Sequence, residues 1–78
     1  MQSRLEVPLT KIAEGQGCEV VRLEPGSAER LRRLLALGLV PGAPVKVTRK
    51  WPAIVFKMGF AEFALDGELA GAVIVAAR

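Results

Sequence analysis

The side chains able to do chemistry are few. Cys18 is the one cysteine, and the 78 residues contain no histidine and no tyrosine. A serine, threonine or cysteine nucleophile needs a neighbouring base, most often an imidazole, so Ser27, Thr10, Thr48 and Cys18 lack their activator. Thiolate is a soft metal ligand, but a site takes several ligands, and only Met1 and Met58 add sulfur. Cys18 therefore reads as a small buried apolar residue. Glu62, Asp66 and Glu68 form the one local acid cluster, of a kind that harder cations favour. Asp66-Gly67 is already accounted for as a turn, and Glu62 as an outward strand residue. No catalytic, cofactor-binding or metal-ligating residue is assigned, and no cofactor is expected. The chain reads as a binding module and not an enzyme.

Charge and aromatic residues offer the other chemistry. Arg30, Arg32, Arg33, Lys46, Arg49 and Lys50 could meet an acidic protein surface or a phosphate backbone. The formal net charge is only +3, too small to argue for nucleic acid by itself, and a solvated face is the simpler reading. Trp51, beside Lys50, could stack on a base or fill a partner's pocket. A lone tryptophan in so short a chain is expected instead to cap the core, because of the apolar area it can bury.

These residues need a scaffold, and the length bounds it. At 78 residues, 51% hydrophobic and 24% charged, residues 1–78 make one globular domain with a small core and no deep interlobe cleft. One thiol cannot form an intrachain disulfide, which fits a reducing cytoplasm. No apolar signal region follows Met1, and the longest apolar stretch, Leu69 to Ala77, is too short to cross a membrane. Eight glycines and five prolines cut the chain into the short pieces of a tightly turned β domain.

In the segment Leu5 to Ala13, Thr10 can open a short helical turn through Ile12. Cys18 to Leu23, rich in β-branched residues, reads as a strand whose alternation fails near its end. Ser27 is a good N-cap and Glu29 suits the positive end of the helix dipole, so a helix is predicted over Ala28 to Leu37. Its apolar stripe is Ala28, Leu31, Leu34 and Leu35, centred near Leu31 and Leu35. Gly38 is the expected left-handed residue after the helix, and Pro41-Gly42 prevents continuation. The period then changes to two. Val45 and Val47 alternate with Lys46 and Thr48, and Ile54, Phe56 and Met58 with Val55 and Lys57. Gly59 permits a hairpin, and Ala61, Phe63 and Leu65 form the next inward row. Glu68 to Gly71 makes a short helical turn before a last strand, Ala72 to Ala76. Five strands and one principal helix result, with the sheet curled to hide its edges.

The segment from Arg32 to Val47 is the most specific. A leucine-rich helix end, then Gly38-Leu39-Val40-Pro41-Gly42, then an alternating valine strand, resembles the FeoA family (ferrous iron transport protein A and its FeoA-like relatives). Pro8-Leu9 through Gly15 with Cys18 to Leu23, and Ala64-Leu65 through Ala70 to Val73 and Val75, resemble the family's opening and closing patterns. Two departures stand out. The loop after the second strand is shortened to Trp51-Pro52-Ala53, and Asp66 replaces a basic residue after the Ala-Leu pair.

The resemblance implies a mainly β, five- to six-stranded SH3-like barrel with one principal α-helix and a short helical turn. It also implies a non-enzymatic cytoplasmic accessory of ferrous iron uptake. Its partner would be the FeoB-type membrane transporter with its cytoplasmic GTP-binding domain, so that the membrane is met only through the partner. The docking surface is expected on the helix and the following turn, at Arg30, Arg33, Leu34, Leu37 and Val40, with Leu34 supporting from beneath. Leu37 falls off the apolar stripe, between Arg30 and Arg33. It is either a partner anchor or, by the hydrophobic contact usual at such caps, turned inward. The alternative function is a small RNA- or ribosome-binding barrel using the basic residues and Trp51. Weak self-association through sheet edges is a third expectation.

Overall fold

A computed structural model describes residues 5–78; Met1, counted above among the sulfur atoms, lies outside them. The chain runs β1 (Glu6–Pro8), a 3₁₀ turn (Leu9–Lys11), β2 (Gly17–Leu23), α1 (Ala28–Ala36), β3 (Pro44–Arg49), β4 (Ile54–Met58), β5 (Ala61–Leu65), α2 (Gly67–Gly71) and β6 (Val73–Ala77). The six strands form one antiparallel sheet in the order β1-β6-β2-β3-β4-β5. The sequence reading holds for the five later strands and both helical pieces. It missed β1, which pairs with β6 from Glu6 opposite Ala76 to Pro8 opposite Ile74. Pro8 is tolerated there because β1 is an edge strand.

The alternation of β2 fails for a visible reason. Its pairing with β6 shifts between Val20 and Arg22, so Val21 is the extra residue of a bulge. A second irregularity lies between Val47 and Arg49, where β3 meets β4. Such bulges bend and twist a sheet. Here the sheet curls so that Ile54, Phe56 and Leu65 share one core with Leu9, Cys18, Val20, Val73 and Val75. Phe56 is fully buried and its ring packs against Phe63, centroids 5.7 Å apart. No polar or charged side chain is buried among the described residues.

Two expectations are corrected. Trp51 does not cap the core: it is 82% exposed, in the β3–β4 connection. Phe56, held by a strand, fills the aromatic position in the core. Asp66 is more than half of a turn pair. Its carboxylate accepts a hydrogen bond from the Leu69 N–H at 2.8 Å and so caps α2.

Cys18 points into the core from β2, fully buried. Burial pushes its thiol up from an ordinary 9.0 to about 11, with the Arg78 guanidinium pulling partly the other way. The neutral thiol is thus the folded form. Stability from this group is complete below about pH 9 and declines as pH rises toward about 11. At neutral pH a thiol-reactive dye should label the native protein only at the rate of unfolding. Immediate stoichiometric labelling of the folded protein would contradict this placement.

Candidate functional site

The candidate surface is built on α1 and the turn that follows. Ser27 opens the helix: its Oγ accepts from the Arg30 N–H at 3.2 Å. At the other end the Gly38 N–H donates to the Leu35 carbonyl at 2.9 Å, and the Leu39 N–H to the Leu34 carbonyl at 3.2 Å. That pair of bonds, with Gly38 at φ +90°, is a Schellman closure. Its accompanying apolar contact joins Leu34 and Leu39, both fully buried.

A Cβ on Gly38 would meet only the Met58 Cε at 3.5 Å, an ordinary contact. The cost of Gly38→Ala is therefore backbone strain alone, about 1–2 kcal/mol. A urea midpoint unchanged by this substitution would refute the left-handed closure.

The closure sets the rotation of the helix, and the rotation differs from the sequence reading. Leu34 is buried and Leu37 packs against the core, so the inward direction lies between them and toward Arg30. Leu31 and Leu35, taken as the stripe centre, lie to one side: Leu31 is half-buried and Leu35 is 43% exposed. Successive residues turn by roughly 100°, which separates Leu35 from Leu34 by that angle. The stripe misled because four apolar residues on adjoining faces permit two rotations, and the sheet plus the cap select one. Of the two readings of Leu37, the inward one holds.

The five residues singled out from sequence are therefore not equivalent. Arg33 is exposed on the last turn, and Val40 is 43% exposed just beyond the cap. Arg30 reaches from α1 to Glu68 on α2, with Nη2 3.1 Å from Oε1. That pair is largely solvent-exposed and contributes little by itself, but it ties Arg30 inward. Leu34 and Leu37 lie beneath the surface. Leu35 and Val40 are exposed apolar residues before and after the closure, and half-buried Leu31 lies one turn before Leu35 on the helix. Leu35 was assigned to the core because period alone cannot say how the helix is turned.

The remaining acids are already engaged or dispersed. Glu62 accepts from the Thr48 hydroxyl at 3.4 Å, Asp66 caps α2, and Glu68 pairs with Arg30. The basic residues also separate. Lys46 projects from the middle of β3, whereas Arg49 and Lys50 stand at its far end with Trp51. No helix of the described residues is long and apolar enough to cross a membrane.

The FeoA domain model matches residues 7–77. No curated protein sequence matches the chain. Among solved structures, an iron uptake regulatory protein (FeoA) is similar at 31% identity, with a TM-score of 0.86 over 95% of this chain and 99% of that one. The zinc-complexed FeoA of Stenotrophomonas maltophilia, described as a procaryotic SH3 domain protein, is 28% identical with a TM-score of 0.80, over 88% of each chain. The IdeR protein of T. acidophilum shares the fold at 17% identity, with a TM-score of 0.89. All of this chain corresponds to 37% of that larger one.

Proposed function

The chain belongs to the FeoA family, which is linked to ferrous iron transport, and we propose that it is a non-enzymatic accessory of iron uptake that docks on a larger protein. The partner is the cytoplasmic GTP-binding domain of an FeoB-type membrane transporter. The chain acts as one unit in the cytoplasm and meets the membrane only through that partner. The family match across residues 7–77 supports the pathway. The observation that carries the docking mode is the exposure of Leu35 and Val40 on either side of a rigid helix closure.

Exposed single leucines are common on protein surfaces. Here, however, the closure holds two apolar side chains in fixed relation, with Arg32 exposed about 60° round the helix from Leu35. A few preorganised apolar anchors with a flanking guanidinium are the usual core of a binding surface. The contact residues are accordingly Leu35, Val40 and Arg32, with Arg30, Leu34 and Leu37 as supports; Arg33, about 160° round the helix from Leu35, lies off this surface. Docking changes the partner's assembly or nucleotide cycle and requires no chemistry from this chain. Titrating the purified transporter domain with the wild-type chain tests the proposal. Saturable binding is expected, and its absence at high micromolar concentration would overturn it.

A further inference from the structure

On the outer face of the sheet, a different surface has the features of a ligand site. An open groove of about 360 Å³ is lined by Gly17, Pro44, Lys46, Lys57, Gly59 and Arg78, with Val45 beneath. Three of these are cations and none is acidic. Lys46 and Lys57 are directly opposite one another on β3 and β4. Like charges at such a position are mutually unfavourable. Both are exposed, so folding does not require a lysine at either place. The Arg78 backbone is held at the other end of the row, where its main-chain N–H donates to the Gly17 carbonyl at 3.1 Å. Among the described residues none of the three is in an ion pair; those pairs use Arg22 and Arg30.

Gly17 is the second indication. It lies opposite Lys46, at the centre of the row. Its backbone does not need glycine, since it is not among the positive-φ residues. Space does not require it either: a Cβ there would meet only the Val45 carbonyl oxygen at 3.9 Å. At the start of β2, a glycine that neither conformation nor packing demands leaves the sheet surface open to close approach by another chain. Two carboxylates border the row without lining the groove: Glu62 is directly opposite Lys57, on β5, and Glu19 is directly opposite Pro44. Glu19 makes its own contact, and Glu62 accepts from Thr48.

We propose that this groove binds an acidic, extended segment of the partner protein, its carboxylates on Lys46, Lys57 and Arg78 and its backbone passing over Gly17. The inference rests on the docking reading above and adds a second point of attachment. The cations are spread across neighbouring strands, from Arg78 beside β2 to Lys57 on β4, a span of roughly 15 Å. Four to five residues of extended chain cover about that distance. Pro44, exposed beside Lys46 on the same face of β3, supplies an apolar surface between the charges. A row of separated cations with an apolar surface between them suits an amphipathic acidic strand better than a single phosphate, which favours convergent donors. The net charge of +3 is low for a nucleic-acid surface.

The test uses a fluorescein-labelled hexapeptide of alternating leucine and glutamate, and its glutamine counterpart, titrated with the full chain. The glutamate peptide is expected to bind at low salt, weaken as salt rises, and outbind the glutamine peptide. Lys46→Gln with Lys57→Gln should weaken it by about tenfold. Gly17→Val, which leaves every charge in place, should weaken it by a similar factor; Gly17→Ala serves if the valine variant fails to fold by circular dichroism. Arg49→Gln with Lys50→Gln, removing the same charge elsewhere, should bind as wild type. Binding as tight as wild type by the Gly17 or the lysine variants, or an equal loss in the Arg49/Lys50 control, would overturn the proposal. Tighter binding of pyrophosphate or a uridine oligonucleotide than of the peptide would also do so, by assigning the groove to phosphate. The titration contains no transporter, so its failure removes the groove alone. Failure of the wild-type chain to bind the transporter domain removes the docking reading alone.

Discussion

Leu34→Ala is expected to lower the stability of the folded chain by about 2–5 kcal/mol, the range for emptying a fully buried leucine site. Leu35→Ala, one residue on, should cost less than about 1 kcal/mol, as surface truncations do. The contrast follows from the rotation of α1. Leu34 is wholly buried and holds the helix to the core, where it meets Leu39 across the Gly38 closure. Leu35 is 43% exposed, and its truncation opens no cavity. Helix propensity cannot produce the difference, because both substitutions exchange the same two residue types at adjacent positions of one turn. Urea unfolding provides the comparison, read as a shift in midpoint at constant slope. Equal costs at the two positions would mean that the leucine stripe faces the sheet after all.

The second large effect is on binding. Leu35→Asp places a carboxylate at the centre of the proposed docking surface. Affinity for the transporter's GTP-binding domain should fall by about thirtyfold or more, the loss typical of a central anchor. The unfolding midpoint should stay near that of wild type. Val40→Asp, beyond the cap and equally exposed, should act in the same direction. Leu37→Asp is the contrasting variant. Leu37 packs against the core and its N–H closes on the Leu34 and Leu35 carbonyls. Its replacement by a charge should unfold the helix end, so any lost binding would accompany lost structure. Retention of binding by Leu35→Asp, with Leu37→Asp folded and inactive, would restore Leu37 as the contact and reverse the assignment.

The features legible in the sequence were those that depend on near neighbours. Ser27 as a cap, Gly38 as the left-handed residue and Gly59 as a hairpin turn are each fixed within a few residues of chain, and all three stand in the structure. The change of period after Pro41 located β3 to β5 for the same reason. Less local features were harder to read. The three residues of β1 are a strand only because β6, at the far end of the chain, pairs with them. The burial of Trp51 depended on what else could fill the core, and Phe56 had the better position. The rotation of α1 is set by the sheet beneath it. The Leu34–Leu39 contact was accessible, since a Schellman closure at Gly38 implies apolar residues at these two places. With Leu34 turned inward by that contact, Leu35 faces outward, about 100° away. The groove over Gly17 had no sequence signal, because its cations come from β3, β4 and the residue after β6.

The docking account is tested most directly by nuclear magnetic resonance of the isotopically labelled chain during titration with the transporter's cytoplasmic GTP-binding domain. The largest shifts of backbone and methyl signals should fall on Leu31, Arg32, Leu35 and Val40, while Leu9, Val73 and Val75 in the core stay in place. Saturable binding whose shifts gather on the Trp51 connection, with Leu35 and Val40 silent, would show that the helix face is not where the partner sits.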